Sequence, residues 1–404
     1  MKSKYDIIVI GARVAGSATA LLLSRLGYRV LIVDRNHPTT DTLSTHAIVR
    51  TGVLQLQRWG VLPSILARGT PPMRQVTLGF GEQRISFDFR TDYGVTAMVA
   101  PRRPVLDTIL LETAVAAGAD FRQGERMVDL DINQAGQVTA VTLANGKGQT
   151  TLSAQFVVGA DGLRSRVAAL VGAASYEAHP PANVMTYGYF AGVDNSHYVS
   201  QFNPGCATGF FPTNDGLTCV FAARPLGAGP IKDGAEFQHI IETASPEMGE
   251  QLRGSQQVGR FYRSMGIPGF LRVPGGRGWA LVGDAGFTKD PLSARGISDA
   301  FRDAELAARA IDGVLSGRQN TKQAMNDYQA TRDRFALPIQ QATRSLAHFT
   351  WDEAEASALL RQLGKIIDEE CRFLSQLDPL AGPTDPTGLA TLSGLPQTAS
   401  ILAV

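Results

Sequence analysis

Residues 5–35, YDIIVIGARVAGSATALLLSRLGYRVLIVDR, constrain the fold of this chain more than any other stretch. The run DIIVIG is short, apolar and β-branched, as in a strand buried on both faces. VAGSATALLLSRL then combines helix formers with small residues near its start, and Gly27 supplies a C-terminal stop. YRVLIVD is a second buried strand. It ends in Asp34, 23 residues after Gly11, where the ribose-binding acid of a βαβ dinucleotide unit belongs. The loop Gly11-Ala12-Arg13-Val14-Ala15-Gly16 keeps the first and last glycines of G-x-G-x-x-G. Arg13 replaces the middle glycine, which normally lets backbone approach a pyrophosphate. The helix N-terminus still offers free N–H groups and a positive dipole end. Arg13 takes up room but can lay a guanidinium beside phosphate oxygens, splayed along the pyrophosphate or into solvent. The expected dinucleotide contacts at this end are Gly11, Arg13, Ala15, Gly16, Asp34 and Arg35.

The chain of 404 residues has room for two or three domains. Its 44% hydrophobic and 19% charged residues suit a well-buried enzyme. A formal net charge of +1 implies no nucleic-acid partner. Cys206, Cys219 and Cys371 are too scattered for a disulfide framework, which points to a reducing cytoplasm. The apolar N-terminus belongs to a fold and not to a signal peptide, and no apolar run approaches the ~20 residues of a membrane span. The six histidines form no H-x-x-x-H or H-E-x-x-H pair, so no metal site is expected. There is no G-x-S-x-G elbow for a hydrolase.

Two distant stretches separate one dinucleotide from another. In AQFVVGADGLRSRVAALVG, residues 154–172, an apolar strand runs into Asp161-Gly162 and an arginine-bearing helix. In GWALVGDAGFTKDPLSARGISDAFRDAELAARAI, residues 278–311, a strand ends at Gly283-Asp284. A Pro/Ser/Gly loop and a helix starting near Ile297 follow. With these three landmarks in order, the chain resembles the FAD-dependent monooxygenases of the para-hydroxybenzoate hydroxylase type. Geranylgeranyl reductases and flavin halogenases share that superfamily. The resemblance implies that the first loop binds the ADP pyrophosphate, that Asp161 lies near FAD and the nicotinamide route, and that Asp284 meets the ribityl chain. It extends to VRTGVLQLQRWGVL, where Arg50 takes the place of an FAD-contacting arginine, and to RRPVLDTILLETA, where Arg103 precedes Leu106 with the family spacing. Two features depart from the pattern. Phe287-Thr288 and SARG replace a histidine and a Gly-Gln-Gly turn, and DTLSTH occupies residues 41–46. A flavin halogenase is disfavoured. Its tunnel lysine has no counterpart between Lys4 and Lys147, and Trp59, Trp279 and Trp351 form no W-x-W-x-I-P signature.

Elementary chemistry gives the same parts their roles. An aspartate at the C-terminal end of a strand points into the ligand crevice of a doubly wound sheet. A helix beginning at Gly296-Ile297 aims N–H groups at the flavin pyrimidine edge, where reduced flavin is anionic. Pro291 closes the loop over the ring, and the resemblance implies that the segment carrying His46, four residues before Arg50, flanks it. Pro291, Gly296 and His46 are therefore the expected catalytic residues. Gly296 and Ile297 also join the cofactor contacts.

Elsewhere the texture is β. RQVTLGFGEQRISFDFR alternates around a Gly-Glu turn as a hairpin, and residues 184–193, 207–216 and 217–225 read as strands. Their aromatics, Tyr187, Tyr189, Phe202, Phe210, Phe211 and Phe221, are candidates for an apolar or aromatic substrate pocket. The expected architecture is α/β. A discontinuous Rossmann-type FAD-binding domain, residues 1–70, 100–175 and 269–320, carries an inserted antiparallel β-sheet substrate domain, residues 71–99 and 176–268. Helices and a proline-marked tail, residues 321–404, follow. The expected activity is NAD(P)H- and O2-dependent hydroxylation or epoxidation of a small molecule through a flavin C4a-hydroperoxide. The chemistry comes from the cofactor, and the protein orients it and excludes water. The alternatives are an FAD-dependent reductase of isoprenoid double bonds and a non-enzymatic flavin-binding scaffold. A monomer or homodimer is expected.

Overall fold

A computed structural model describes residues 5–37, 39–89, 92–193 and 196–380. The opening segment forms strand β1 (Ile7–Ile10), helix α1 (Val14–Arg25) and strand β2 (Val30–Asp34). Gly27 ends the helix in the left-handed region at φ +87°. These strands sit at the centre of a six-stranded sheet. Its order is Gly275–Gly276, Trp279–Leu281, Phe156–Gly159, β1, β2, Asp120–Gln123. All neighbours are parallel except the Gly275–Gly276 edge.

Burial on both faces explains the continuous apolar runs. Ile7, Val9, Val30 and Ile32 pack with α1, helix Arg103–Ala116 and the long helix Gly296–Leu315. Ile8, Ile10, Leu31 and Val33 face the other way, onto a three-stranded meander of Arg126–Ile132, Val138–Asn145 and Gly148–Ser153. That meander is an element the sequence reading did not resolve.

The second large sheet has seven strands in the order Gln256–Ser264, Asn183–Ala191, Thr218–Pro225, Cys206–Pro212, Tyr198–Asn203, Gln75–Phe80, Gln83–Asp88. The expected hairpin turns at Gly81-Glu82. The sheet is not wholly antiparallel. Tyr198–Asn203 runs parallel to Gln75–Phe80, where two stretches distant in sequence meet. A tight hairpin can join only antiparallel strands, as it does Tyr198–Asn203 to Cys206–Pro212, whereas this parallel pair joins segments brought together by the fold. A small sheet of Ser175–His179, Gly269–Arg272 and Phe287–Thr288 lies where the chain passes between the two large ones.

One face of the seven-stranded sheet is covered by helices Gly234–Ala244 and Pro246–Arg253. The other packs on Ala47, Met98 and Leu292 of the first sheet's loops and on Leu346, Trp351 and Ala356 near the end of the chain. The expected C-terminal helices are Thr321–Ala347 and Glu353–Gln376, the second opened by an Asp352/Glu355 capping box. The tail prolines Pro383, Pro386 and Pro396 lie outside the described residues.

Candidate functional site

The C-terminal ends of the parallel strands open onto one cavity of about 960 Å³, at the upper end of the ~300–1,000 Å³ range of ligand pockets. Gly11, Asp34, Ala160, Val282 and Gly283, at or just past strand ends, form its floor. Gly11 has φ +111°, and a Cβ there would sit 2.3 Å from the Ala160 carbonyl oxygen. A Cβ on Gly16 would sit 1.8 Å from the Gly11 carbonyl oxygen. Gly16 therefore lies beneath the cavity wall, where it allows helix and strand to touch, and does not itself line the cavity.

At this end Asp34 anchors the loop. Its carboxylate accepts the Ala12 N–H at 2.8 Å and the Asn36 N–H at 2.8 Å. Val14 and Ala15 line the cavity at the start of α1, where no side chain caps the helix. Arg13 neither reaches freely into solvent nor crosses the loop. It donates to Asp107 at 3.1 Å and to the Thr40 carbonyl at 3.1 Å. Arg103 grips the same carboxylate with two bonds of 3.0 Å. Two guanidiniums thus share one fully buried carboxylate, and the wall keeps a surplus positive charge. Arg35 is exposed and lines the same cavity as Arg126, Arg164 and Arg166.

Asp161 also borders the mouth, but its carboxylate is engaged locally. It accepts from the Ser165 hydroxyl at 2.6 Å and from the Arg166 and Val167 N–H groups at 2.7 and 3.2 Å. It therefore fixes the start of helix Arg166–Leu170. Asp284 behaves differently. Its side chain is exposed to the cavity, and the protein packed around it raises its pKa against the pull of Lys289 and Arg103.

The far end is formed by Phe287 to Pro291, Ala294, Gly296 and Ile297. The long helix begins here at Gly296, again without a side-chain cap, and a Cβ on Gly296 would meet nothing within 4 Å. Asp290 is buried, and burial raises its pKa to about 6 although it accepts from Leu292 N–H at 3.0 Å and from the Asn183 amide at 2.8 Å. His46 lines the same end in the left-handed region, φ +46°. Its Nδ1 lies 3.1 Å from the Ala100 carbonyl oxygen, which only accepts, so Nδ1 carries the proton. Nε2 then accepts from the Tyr189 hydroxyl at 3.0 Å. Burial, helped by the Arg102 charge, pushes its pKa down to about 3. His46 is a neutral, oriented ring and not a proton carrier at neutral pH.

Several expected residues lie elsewhere. Arg50 is absent from the cavity; it faces Asp368 of the last helix at 3.8 Å and the Phe89 ring at 5.9 Å. None of the six roof aromatics lines the cavity. Phe210 points to the opposite face of its sheet, onto Phe237 and Ile241. Tyr187, Tyr189, Phe202, Phe211 and Phe221 face inward but are packed shut, at 5% exposure or less. Strand alternation put five of them on the right face, and mutual packing closed the space between them. Lys289, Asp290 and Asp299 line the inner end and were missed. The signal available was the charged Lys289-Asp290 pair interrupting an otherwise small-residue loop before Pro291.

The geometry fits a long ligand with an anionic group near α1, hydroxyls near Asp34 and Asp284, and an electron-rich ring near Gly296. A protein-family profile described as "FAD binding domain" matches residues 4–229. Digeranylgeranylglycerophospholipid reductase of Methanocella arvoryzae is 24% identical over 82% of this chain and 83% of that protein. Rifampicin monooxygenase of Streptomyces venezuelae is 26% identical over 91% of this chain and 76% of that protein. Among solved structures, a flavin-dependent brominase superposes with a TM-score of 0.77 at 18% identity, over 92% of this chain and 93% of that one, a likeness of fold.

Two measurements follow from the site. Arg13→Gly leaves Asp107 paired with Arg103 but removes one positive charge from the wall. Dinucleotide binding to the apoprotein should weaken by about 1–2 kcal/mol, the range for a partly exposed charge-assisted bond. Clearly tighter binding would show that Arg13 only obstructs. His46 gives a pH signature. Its folded pKa of about 3 lies below its ordinary 6.5, so the unfolded chain binds one more proton between those values. The stability from neutral His46 is complete above about pH 6.5 and is lost as pH falls toward 3, at up to about 1.4 kcal/mol per pH unit. Urea unfolding of His46→Gln across this window should show a shallower acid limb than the wild type; equal slopes would refute the assignment.

Proposed function

This chain belongs to the FAD binding domain family, and from that membership we propose that it is an NAD(P)H- and O2-dependent monooxygenase acting on a small molecule. That it is an FAD-dependent oxidoreductase follows from its relatives. The observation that carries the reading is a single cavity joining two uncapped helix N-termini, with Asp34 and Asp284 spaced along it. In this reading the N–H groups of Val14 and Ala15, with Arg13, hold the pyrophosphate. Asp34 accepts from the adenosine ribose, and Asp284 accepts from the ribityl chain. The N–H groups of Gly296 and Ile297 face the ring, which Pro291 borders.

Bound FAD supplies hydride acceptance and oxygen activation. The protein's own contribution is enclosure and charge. The packed aromatics behind His46 keep water from the inner end of the cavity. His46, fixed by Ala100 and Tyr189, holds the 41–47 segment against the site and presents no exchangeable charge. Lys289 and Asp290 make this end polar, so the substrate is expected to carry a polar group and not to be a bare hydrocarbon.

Likeness to rifampicin monooxygenase over 91% of the chain favours oxygen transfer. Likeness to digeranylgeranylglycerophospholipid reductase, over 82%, supports a second reading, reduction of an isoprenoid double bond. A substrate screen that follows NAD(P)H, O2 and product mass separates them. The monooxygenase reading expects NAD(P)H and O2 to be consumed together and the product to gain one oxygen atom. A product that gains two hydrogens, with no oxygen requirement, overturns it in favour of the reductase. A yellow protein that turns over neither is a flavin-binding scaffold.

A further inference from the structure

We propose that Lys289 is the potential-setting residue of this flavoprotein, its ammonium stabilising negative charge on the ring bound at the inner end of the cavity. This rests on the reading that the cavity holds FAD. Lys289 sits between Thr288 and Asp290, its side chain is 5% exposed, and it lines the cavity. It donates to Asp299 and lies 4.6 Å from the Phe287 ring centre.

A lysine paired with an aspartate ordinarily presents little net field. Here the aspartate is divided among three cations. Asp299 also accepts from Arg295 at 3.0 Å and from Arg302 at 2.9 Å. Glu370, reaching in from the last helix, receives both of those guanidiniums. Arg302 closes the set with a fork onto Asp303 at 2.9 and 3.1 Å. Three cations thus face three carboxylates, and Asp299 is held well ionised by its neighbours although burial opposes it.

Of the three cations only Lys289 lines the cavity, and the carboxylate beside it, Asp299, is shared with two guanidiniums that lie behind the wall. The surrounding protein raises the pKa of Asp284, and Lys289 and Arg103 pull it down. Lys289 also lowers Asp290 against the same burial penalty. Lys289 thus acts on both cavity carboxylates from the wall that a ring at this end would face. An electron pair arriving on a ring at this end would feel it in the same sense.

The test uses FAD-loaded full-length protein and two readouts other than turnover. One is the two-electron midpoint potential. The other is the dissociation constant of sulfite, a nucleophile whose addition leaves extra negative charge on the oxidised ring. Lys289→Met should weaken sulfite binding about tenfold and lower the midpoint by about 30 mV, the equivalent of a tenfold change for two electrons. Lys289→Arg should restore both. Asp299→Asn removes the counter-ion and should move both readouts the opposite way. General loosening of the site cannot produce opposite signs, and Asp299→Asn carries the test should Lys289→Met fail to fold. Unmoved readouts, or shifts of one sign in both charge-removing variants, overturn the inference with FAD still bound. Failure of the wild-type protein to bind FAD overturns this inference together with the reading beneath it.

Discussion

Everything in this molecule depends on one close approach of backbone to backbone. The loop from Gly11 to Gly16 passes the end of strand Phe156–Gly159 so closely that a Cβ at Gly11 would overlap the Ala160 carbonyl oxygen, and it turns so tightly that a Cβ at Gly16 would overlap the Gly11 carbonyl oxygen. That contact sets where α1 begins, and so aims its free N–H groups into the crevice between strands. It also brings Ala160 and Asp161 to the opposite lip of the cavity. The middle position of the loop is under no such constraint. Arg13 stands there because its side chain leaves sideways, to a carboxylate on a neighbouring helix. The two glycines that touch backbone are kept, and the one that only made room for a ligand has been exchanged for a charge.

The parts legible in the sequence are those governed by local period and by turn chemistry. The β1–α1–β2 unit, the Asp34 position, the 75–88 hairpin and the start of the long helix each rest on a few adjacent residues. The parts that escaped depend on partners far along the chain. Arg50 matched a motif, yet Asp368, more than three hundred residues later, holds it away from the cavity. The roof aromatics alternate as pocket residues do, but whether a wall is open or packed shut depends on what faces it. Here Tyr187 stacks on Tyr262 at 4.9 Å and Phe202 on Phe80 at 5.9 Å, leaving no space between them. Glu370 gave no signal, since a glutamate on an amphipathic helix reads as solvent-facing until Arg295 and Arg302 are seen against it.

The buried charges around the long helix show where local rules yield to function. Burying three cations and three carboxylates costs more in lost hydration than well-packed apolar residues of the same size would. The network lies where the 289–296 loop, the long helix and the last helix come together. Its members compensate one another, and its edge, Lys289 with Asp299, reaches the cavity. A charged set of this kind ties the loop 289–296 in one position and gives the inner end of the cavity a defined polarity. The 41–47 segment performs the matching task on the other side, with His46 locked neutral between a carbonyl and a tyrosine hydroxyl.

The central claim is that the cavity holds a dinucleotide at both ends, the adenosine half at Asp34 and α1 and the ring half at Gly296. Titration of the apoprotein with FAD and, separately, with FMN tests it most directly, because FMN lacks the adenosine half. The account predicts that FAD binds at least about a hundredfold more tightly, or about 2.7 kcal/mol, from the contacts at the α1 end. Equal affinity for the two flavins would contradict it.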